Sequence, residues 1–464
     1  MSIVPNPEAM KTRFLAALLA LACAPALAYA QQPERLRVPY TIDTLPNGLT
    51  LIVHEDHTVP VVTVNTWFHV GSGDEKRGRT GFAHLFEHLM FMGSQHAPYP
   101  QFDRLLEAAG ANNNGSTSED RTNYYEAGPA SALRLMLWLD ADRMGWLLPT
   151  MDTPKVDLQR DVVKNERRQG VENQPYGMVG DIAPQLMYPA GHPYSWTVIG
   201  SMADLSAASL EDVKDFFRRY YAPNNATIVV AGDVKADSVR AIVREYFSEI
   251  PRGPAIERPA PAPFTVRDTA VTLEDRVQLA RLYLNWHTVK ATDADAPALQ
   301  IAAYVLAGAR TSRLTQYLVY TGEVATTVQA YHDAKRLDGD FSIVATARPG
   351  VALDTLQSLV DRTIQRLASD GPTAAELQQA RNVIEAAFLR SIQTVSGKAD
   401  QLNEYYYQRG TPDGFQDDLD RLQAVTTADI QRVVRTYLQA PRVMISVVPQ
   451  GKPALAATKK QVTP

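Results

Sequence analysis

The sequence of 464 residues is nearly free of cysteine, since Cys23 is the only one. A chain with a single cysteine forms no internal disulfide. Basic residues are also in deficit, because 46 Lys and Arg face 51 Asp and Glu, for a formal net charge of −5. Lys/Arg runs interleaved with aromatic residues are missing, so we expect no nucleic-acid binding.

Long apolar runs are absent as well. The longest one near the start, residues 14–27, is short for a membrane span. Positive charge in residues 10–13 precedes it, and the small-residue segment 28–30, Ala-Tyr-Ala, follows it. This order is typical of a secretory signal peptide, which we expect to occupy residues 1–30.

The signal sets three further expectations. Met10 is a possible true start, because residues 1–9 have no signal character. The expected location is a bacterial periplasm, with no membrane span in the mature chain. Cleavage after Ala30 would remove Cys23 and leave a chain without cysteine. Lipoprotein processing at Cys23 is the alternative.

A proline-rich stretch divides the mature chain near its middle. Prolines recur between Pro251 and Pro263, which favours a semi-extended connector without ladder hydrogen bonds. The chain is also too long for one core of ordinary size. We therefore expect an N-terminal domain at 31–250, a linker at 251–264, a C-terminal domain at 265–450 and a tail at 451–464.

The two expected domains carry similar patterns in the same order. An amphipathic helix, a proline and a β-branched strand follow one another at 212–231 and again at 429–448. Segment 84–93 also aligns with segment 299–308, and chance similarity is the alternative to duplication. The first segment has polar residues where the second has apolar ones, namely His84, Glu87 and His88 against Leu299, Ala302 and Ala303. We expect two homologous α+β domains, each a mostly antiparallel sheet packed against helices.

Local patterns predict the elements that surround segment 84–93. We expect strands at 49–54 and 61–70 and helices at 81–92, 99–109, 130–144 and 155–168. In the helix at 81–92, Thr80 is the expected N-cap and Gly93 the expected C-terminal stop. The predicted core-facing residues of this helix are Leu85, Phe86, Leu89 and Met90.

The candidate chemistry lies on this helix. His84 and His88 are four residues apart, so both imidazoles lie on one face, and Glu87 is close enough to reach a water on a shared metal. The order His-x-x-Glu-His is the inverted zinc-peptidase motif. Two surface histidines and a solvated glutamate are the alternative, but the flanking residues are apolar, where unpaired polar groups are costly to bury.

A catalytic zinc needs a third protein ligand and an open position. Glu166 is the candidate, because it continues a helical stripe that we predict to be buried and that contains Leu158, Val162 and Val163. An ion pair of Glu166 with Arg167 or Arg168 is the alternative, and the residues alone leave both open.

These motifs resemble those of the pitrilysin/insulinase family, in particular its processing-type members. His84-Leu-Phe-Glu87-His88 and the segment 162–168 match its two zinc motifs, with 77 residues, 89 to 165, between them. Segments 112–125 and 192–200 match as well, and the likeness covers residues 35 to 450. The resemblance implies a zinc endopeptidase with two homologous domains, which form half of a clamshell chamber that admits peptides or unfolded segments.

The resemblance also implies roles for particular residues. His84, His88 and Glu166 would hold one Zn²⁺ per chain, and Glu87 would be the general base. Asn114, Gly115 and Ser116 resemble an edge strand that binds peptide substrates by main-chain hydrogen bonds, although a plain polar turn is the alternative. Seven positions before Glu166 the family has an acidic residue, where this sequence has Gln159.

One family feature is missing. Members that act as single chains carry an Arg and a Tyr in the non-zinc half, and Tyr320 and Thr326 stand at those places here. The resemblance therefore implies a heterodimer with a homologous subunit that lacks zinc ligands and supplies the pair. A non-catalytic assembly subunit and a periplasmic peptide-binding protein are the alternative functions.

Overall fold

The computed structural model describes residues 35–258 and 260–458. The expected signal peptide, Met10 and Cys23 lie outside these residues, as does the end of the expected tail. From Val38 onward the described chain forms one compact unit, and residues 35–37 belong to another. Among the helices of the described residues, none combines the length and the hydrophobicity that a membrane span requires.

The described part of the first half, residues 35–258, contains six strands and eight α-helices. Its strands are β1 (Thr41–Thr44), β2 (Thr50–Glu55), β3 (Val61–Phe68), β4 (Asn112–Thr117), β5 (Thr122–Pro129) and β6 (Ala226–Gly232). Its helices are α1 (Phe82–Leu89), α2 (Gln101–Ala108), α3 (Leu133–Trp146), α4 (Thr153–Arg167), α5 (Val179–Met187), α6 (Met202–Ala207), α7 (Leu210–Tyr220) and α8 (Ala236–Phe247).

The described part of the second half, residues 260–458, contains five strands and six α-helices. Its strands are β7 (Thr269–Asp275), β8 (Arg281–Thr288), β9 (Ala325–Ala334), β10 (Gly339–Ala347) and β11 (Val443–Pro449). Its helices are α9 (Ala296–Ala307), α10 (Leu353–Asp370), α11 (Ala374–Ser391), α12 (Val395–Arg409), α13 (Phe415–Ala424) and α14 (Thr427–Val433). Single π-helical segments lie at Arg168–Glu172, Thr315–Thr321 and Val434–Leu438.

The two sheets have related strand orders. The first is β1-β2-β6-β3-β5-β4 and the second is β7-β11-β8-β10-β9. Pairs β2/β6 and β7/β11 are parallel, and all other pairs in both sheets are antiparallel. The sheets therefore superimpose in topology with β4 matching β9 as the edge strand. The predicted fold class, two homologous α+β domains, is confirmed.

Each sheet is covered by helices of its own half on one face and by a helix of the other half on the other. Along β3, Val62, Val64 and Phe68 join the core of the first domain. The alternate residue Trp67 contacts Tyr407 of α12, which packs across β3 and β6. In exchange, α5 packs on β8 and β11. Because both faces are covered, every residue of β6 and of β11 is buried.

Most predicted elements agree with the structure to within a few residues. The strand prediction at 61–70 corresponds to β3, and the helix predictions at 99–109 and 155–168 correspond to α2 and α4. The helix predicted at 130–144 begins as a short 3-10 turn, Ala130–Ala132, and continues as α3. The repeated helix–strand pattern is present as α7 with β6 and as α14 with β11.

Candidate metal centre

Helix α1 begins differently from the prediction. Its N-cap is Gly81, whose φ of +89° suits glycine, rather than Thr80. The buried carboxylate of Glu75 accepts hydrogen bonds from the backbone N–H groups of Gly81 (3.0 Å) and Ala83 (2.8 Å). The hydroxyl of Thr80 donates to Asp204 instead, at 2.6 Å. A carboxylate six residues upstream therefore satisfies the first turn and fixes the start of the helix.

The end of α1 also differs from the prediction. The helix stops at Leu89 with Met90 as its C-cap, so Gly93 is not its C-terminal stop. Gly93 has a φ of +81° and lies in the following turn, where an added Cβ would approach the backbone nitrogen of Tyr99 to 2.1 Å. The core face is as predicted, because its four apolar residues are buried, namely Leu85, Phe86, Leu89 and Met90.

Three of the predicted site residues meet at one point. His84 Nε2 lies 3.8 Å and His88 Nε2 lies 3.4 Å from Glu166 Oε2. All three candidate ligand atoms are within 4.8 Å of one another. The two imidazole side chains are 17% and 18% exposed and the carboxylate is 43% exposed. Helix α1 therefore supplies two nitrogen donors, and α4 supplies one oxygen donor.

The chemistry of this donor set fits Zn²⁺. A tetrahedral zinc with bonds of about 2.1 Å places its ligand atoms about 3.4 Å apart, close to the spacing found here. His88 Nδ1 lies 3.2 Å from Gln159 Oε1, a hydrogen bond that places the proton on Nδ1 and leaves the Nε2 lone pair for a metal. Burial, and secondarily His88, lowers the pKa of His84 to about 4, so this imidazole is neutral near pH 7. Two imidazoles and one carboxylate leave a fourth position open.

Helix α4 presents a different stripe from the predicted one. Leu158 is 53% exposed, so its predicted burial is wrong, whereas Val156 and Val163 are fully buried. Gln159 and Glu166 are seven residues apart and therefore lie on the same side of the helix, toward α1. The amide of Gln159 also donates to Met92 Sδ at 2.8 Å, which fixes the side chain that holds His88.

The alternative ion pair of Glu166 is not seen. Arg167 donates to Asp181 and to the carbonyl of Gly200, and Arg168 donates to Asn165. Both cations therefore have other partners, and the two imidazoles lie within 4 Å of the Glu166 carboxylate.

Glu87 lies between the metal-ligand candidates and the edge of the sheet. Its Oε2 accepts a hydrogen bond of 2.6 Å from the hydroxyl of Thr117 on β4. Burial raises the pKa of Glu87, while the Thr117 hydrogen bond and the charge of His88 oppose that rise. A carboxyl with a raised pKa is a better proton acceptor, which suits a general base.

The three predicted substrate-binding residues lie on strand β4, which has β5 on one side and is the last strand of the sheet. An added Cβ at Gly115 would stand 3.1 Å from Cγ of Glu87, so the strand passes directly against the candidate base. Asn114 is exposed, and its Oδ1 accepts from the N–H of Gly115 at 2.8 Å. Ser116 Oγ donates to Asn123 on β5 at 2.7 Å. The segment is an edge strand rather than the plain polar turn that was the alternative.

The two positions that align with the Arg/Tyr pair of the family are occupied by other residues, Tyr320 and Thr326. Tyr320 is 45% exposed, in the π-helical segment Thr315–Thr321, and Thr326 is the second residue of the edge strand β9. The nearby Arg313 is bound by both carboxylate oxygens of Glu376, each at 2.8 Å. The guanidinium of Arg310 lies 5.1 Å above the ring of Tyr320.

The remaining histidines and Asp120 have structural contacts. Asp120 lies in the β4–β5 turn and accepts a hydrogen bond from the hydroxyl of Tyr194. His192 and His287 both contact Asp338, at 2.9 and 2.8 Å.

Sequence reasoning missed two residues of this site. Thr117 follows Gly115 by two positions, and strand alternation places both on the face that meets Glu87. Glu75 had no local signal, because it caps α1 from outside the helix and across a left-handed glycine.

Two family models match the chain. The model described as "Insulinase (Peptidase family M16)" matches residues 50–187. The model described as "Peptidase M16 inactive domain" matches residues 207–384. The first contains His84, Glu87, His88 and Glu166, and the second contains most of the half without zinc ligands.

Curated relatives and a solved structure agree with these models. "Zinc protease PqqE" of Helicobacter pylori is 28% identical over 403 residues, which are 85% of this chain and 89% of that protein. "Probable mitochondrial-processing peptidase subunit beta, mitochondrial" of Arabidopsis thaliana is 25% identical over 89% of this chain and 79% of its own length. The crystal structure of a protease from Helicobacter pylori superimposes with a TM-score of 0.81 and 26% identity, over 89% of this chain and 100% of that one.

Proposed function

Because the chain belongs to the M16 (insulinase) family of peptidases, we propose that it is a zinc-dependent endopeptidase that hydrolyses peptides or unfolded segments. The observation that carries this proposal is that the candidate ligand atoms of His84, His88 and Glu166 lie within 4.8 Å of one another, with Glu87 next to His88 on the same helix. All four residues of the motif are present, whereas a purely structural member of the fold has no need for them.

The proposed chemistry divides among the residues of the site. His84, His88 and Glu166 would hold zinc, which supplies Lewis acidity that polarises a carbonyl and acidifies water. Glu87 takes the proton of the attacking water and returns it to the leaving amine. Its Oε2 is engaged by Thr117, so Oε1 is the oxygen that exchanges the proton.

The free edge of β4 supports a role in holding the substrate. An extended peptide that pairs with this strand would be added to the sheet by main-chain hydrogen bonds, with its backbone close to Glu87. Asn114, Gly115 and Ser116 are the residues that we propose for this contact. Such binding requires an extended segment, which fits peptides and unfolded chains better than folded proteins.

The decisive experiment replaces Glu87 by Gln. This change keeps the shape of the side chain but removes the base, so turnover should fall by about 10²–10⁴-fold. Zinc content, measured on the same sample, should stay at one per chain. The matched control is Glu107→Gln, an exposed glutamate on α2, which should cleave peptides like the wild type. If Glu87→Gln still cleaves at the wild-type rate, the assignment of the base is wrong.

A second candidate function is a peptide-binding or assembly subunit without catalysis. The absence of the Arg/Tyr pair at Tyr320 and Thr326 is the observation that favours it. Stoichiometric zinc together with peptide cleavage would exclude this candidate. Peptide binding without cleavage, in the presence of any partner, would support it.

The same absence supports the proposal of a partner subunit. We propose that a homologous chain without zinc ligands supplies an Arg and a Tyr opposite the zinc, in a heterodimer. Arg313 is already held by Glu376, so it is poorly placed to serve a substrate. Co-purification from the native host should give a second chain of similar length. Full activity of this chain alone would contradict the heterodimer.

The proposed location is the periplasm. The signal-like segment at residues 1–30 supports it, together with a mature sequence free of cysteine. Cell fractionation and N-terminal sequencing should find a mature chain that begins at Gln31. A lipid-modified chain that begins at Cys23 would contradict this processing.

A further inference from the structure

The candidate base is connected to the second domain through one turn. Thr117, the last residue of β4, donates its hydroxyl proton to Glu87 Oε2 at 2.6 Å. The turn that follows, residues 118–121, leads directly into β5, and Thr117 pairs with Thr122 across the hairpin. The position of Thr117 therefore depends on how this turn is held.

The turn has a tight internal structure. The backbone N–H of Ser118 donates to the carbonyl of Arg121 at 2.8 Å. Ser118 Oγ accepts from the N–H groups of Asp120 and Arg121, each at 3.2 Å. The guanidinium of Arg121 reaches back to the carbonyl of Ser116 at 2.9 Å. These bonds join Asp120 and Arg121 to Ser118 and Ser116, so a displacement of Asp120 should also displace the end of β4.

Asp120 is held by residues of the second domain and by Tyr194 of the first. Its Oδ2 accepts the backbone N–H of Arg336 at 3.1 Å, and its carboxylate accepts the hydroxyl of Tyr194 at 2.8 Å. The same hydroxyl oxygen accepts the N–H of Leu337 at 3.0 Å. The hydroxyl of Tyr407 on α12 donates to the carbonyl of Asp120 at 2.9 Å. Residues 335–338, the loop between β9 and β10, are thus joined to the β4–β5 turn.

We propose that the β9–β10 loop of the second domain positions the general base, acting through Asp120 and Thr117. This inference rests on the proposed role of Glu87. A carboxylate with one oxygen fixed by a hydroxyl keeps its other oxygen in one direction, and catalytic groups lose rate when they are displaced by about 1 Å. Thr117 and Asp120 are positioning residues, since neither is placed to touch the substrate's reacting atoms. The domain without zinc ligands thereby contributes to the chemical step.

The first test compares two substitutions of Thr117. Thr117→Val keeps the β-branched shape but removes the donor, so kcat should fall by about 10-fold or more, within the range of base catalysis, while KM changes by less than about threefold. Thr117→Ser restores the hydroxyl and should restore most of kcat. Thr327→Val, on the equivalent edge strand β9, is the matched control and should leave kcat unchanged. Equal kcat in Thr117→Val and the wild type would overturn the proposal.

The second test acts on the other end of the path. Asp120→Ala should lower kcat by about 10-fold with zinc content unchanged, and the double variant with Thr117→Val should be no slower than Thr117→Val alone. In the zinc-free protein, amide hydrogen exchange across residues 117–122 should be faster in Asp120→Ala than in the wild type. Asp215→Asn, an exposed surface change, should alter neither readout. Multiplicative losses of kcat, or unchanged exchange, would contradict a path through the turn.

The outcomes separate this inference from the proposed function. If Glu87→Gln remains active, the proposed base is wrong and the inference fails with it. If Glu87→Gln is inactive but Thr117→Val and Asp120→Ala keep the wild-type kcat, only the positioning role fails. A loss of zinc in Thr117→Val would also overturn the inference, because the hydroxyl would then support the metal site rather than the base.

Discussion

Helices α1 and α9 occupy the same place in the two halves of the molecule. Each lies between matching strands, α1 between β3 and β4 and α9 between β8 and β9, and each packs against its edge strand. Each also packs on a later helix, α1 on α4 and α9 on α11. The two helices differ in the residues that occupy the face at this shared position.

In α9 the positions that align with the metal motif are closed. Leu299 and Ala302 are completely buried, and Ala303 is 5% exposed. In α1 the imidazoles at the equivalent places remain partly open, at 17% and 18%. The same architecture therefore supports either a packed core or a polar site, and the residues on one helical face decide which of the two forms.

Giving α1 the residues of α9 should have the largest effect. The double variant His84→Leu, His88→Ala should bind no zinc and hydrolyse no peptide, because two of the three donors are gone. Its fold should remain, since the equivalent face of α9 packs well with the same residues. Zinc analysis, peptide cleavage and circular dichroism check this. One zinc per chain in the variant would contradict the ligand assignment.

A substitution in α9 that creates a cavity tests how far the second half is independent of the metal site. Leu299→Ala removes a fully buried side chain and should lower the free energy of unfolding by about 2–5 kcal/mol. Zinc content should not change, because Leu299 lies in the second core. Urea unfolding measures the effect, and Leu389→Ala on α11, where the side chain is 37% exposed, is the control. A loss of zinc in Leu299→Ala would show that the two cores are coupled.

Much of the likeness between the two halves, and the polar face of α1, could be predicted from the sequence, because both depend on local patterns. The spacing of His84 and His88 placed both on one helical face, and the repeated helix–strand pattern predicted two related domains. The ends of α1 were predicted wrongly. Its N-terminus depends on Glu75 and on the left-handed Gly81, and its C-terminal turn is set by a close approach to Tyr99. These are tertiary contacts, which no local pattern contains.

The predicted burial of Leu158 on α4 is wrong for a related reason. Periodicity predicted that Leu158 is buried, but the helix is rotated so that Gln159 and Glu166 face α1 and Leu158 is exposed. Polar residues occupy the inner face here because the imidazoles and the proposed metal give them partners. A hydrophobic pattern is least informative where a site replaces part of the core.

The close approach of β4 to Glu87 should have a smaller effect on catalysis, which a substitution of Gly115 tests. Gly115 on β4 has only 3.1 Å between an added Cβ and Glu87 Cγ, and 3.2 Å to the carbonyl of Asn123. Gly115→Ala should therefore displace Glu87 or the strand and lower kcat/KM by about 10-fold, or about 1.4 kcal/mol. Gly180→Ala, where nothing lies within 4 Å of an added Cβ, is the control. Equal kcat/KM in the two variants would show that the close approach has no role in catalysis.

The smallest predicted effect concerns the two exchanged helices. Helix α5 meets the second sheet through apolar contacts that include Val179, Met187 and Ile445. Helix α12 meets the first sheet through the aromatic contact of Trp67 with Tyr407 and also through polar contacts, among them Asp400 with Asn65 at 3.2 Å. The docking of α12 should therefore respond to pH, and that of α5 should not.

The direction of this pH dependence of stability follows from the pKa of Glu404 on α12. Burial, and secondarily the charge of Asp400, raises its pKa from 4.5 to about 7, while Arg121 and Arg409 oppose the rise and Asp120 adds to it. Between these two values the folded state holds a proton that the unfolded state has lost. Stability contributed by the neutral side chain is therefore fully present below pH 4.5 and is lost as the pH rises to 7.

Glu404→Gln mimics the neutral form, so its free energy of unfolding should not fall across this window as that of the wild type does. We expect a difference on the order of 1 kcal/mol at pH 7.5, which is less than the full shift would give, because Glu404 lines a cavity of about 640 Å³. Urea unfolding at pH 5 and pH 7.5 measures it, with the exposed Glu249→Gln as control. If wild type and Glu404→Gln lose equal stability between these two pH values, the carboxyl is ionised in the folded state, and the polar contacts of α12 carry no pH dependence that distinguishes them from the apolar contacts of α5.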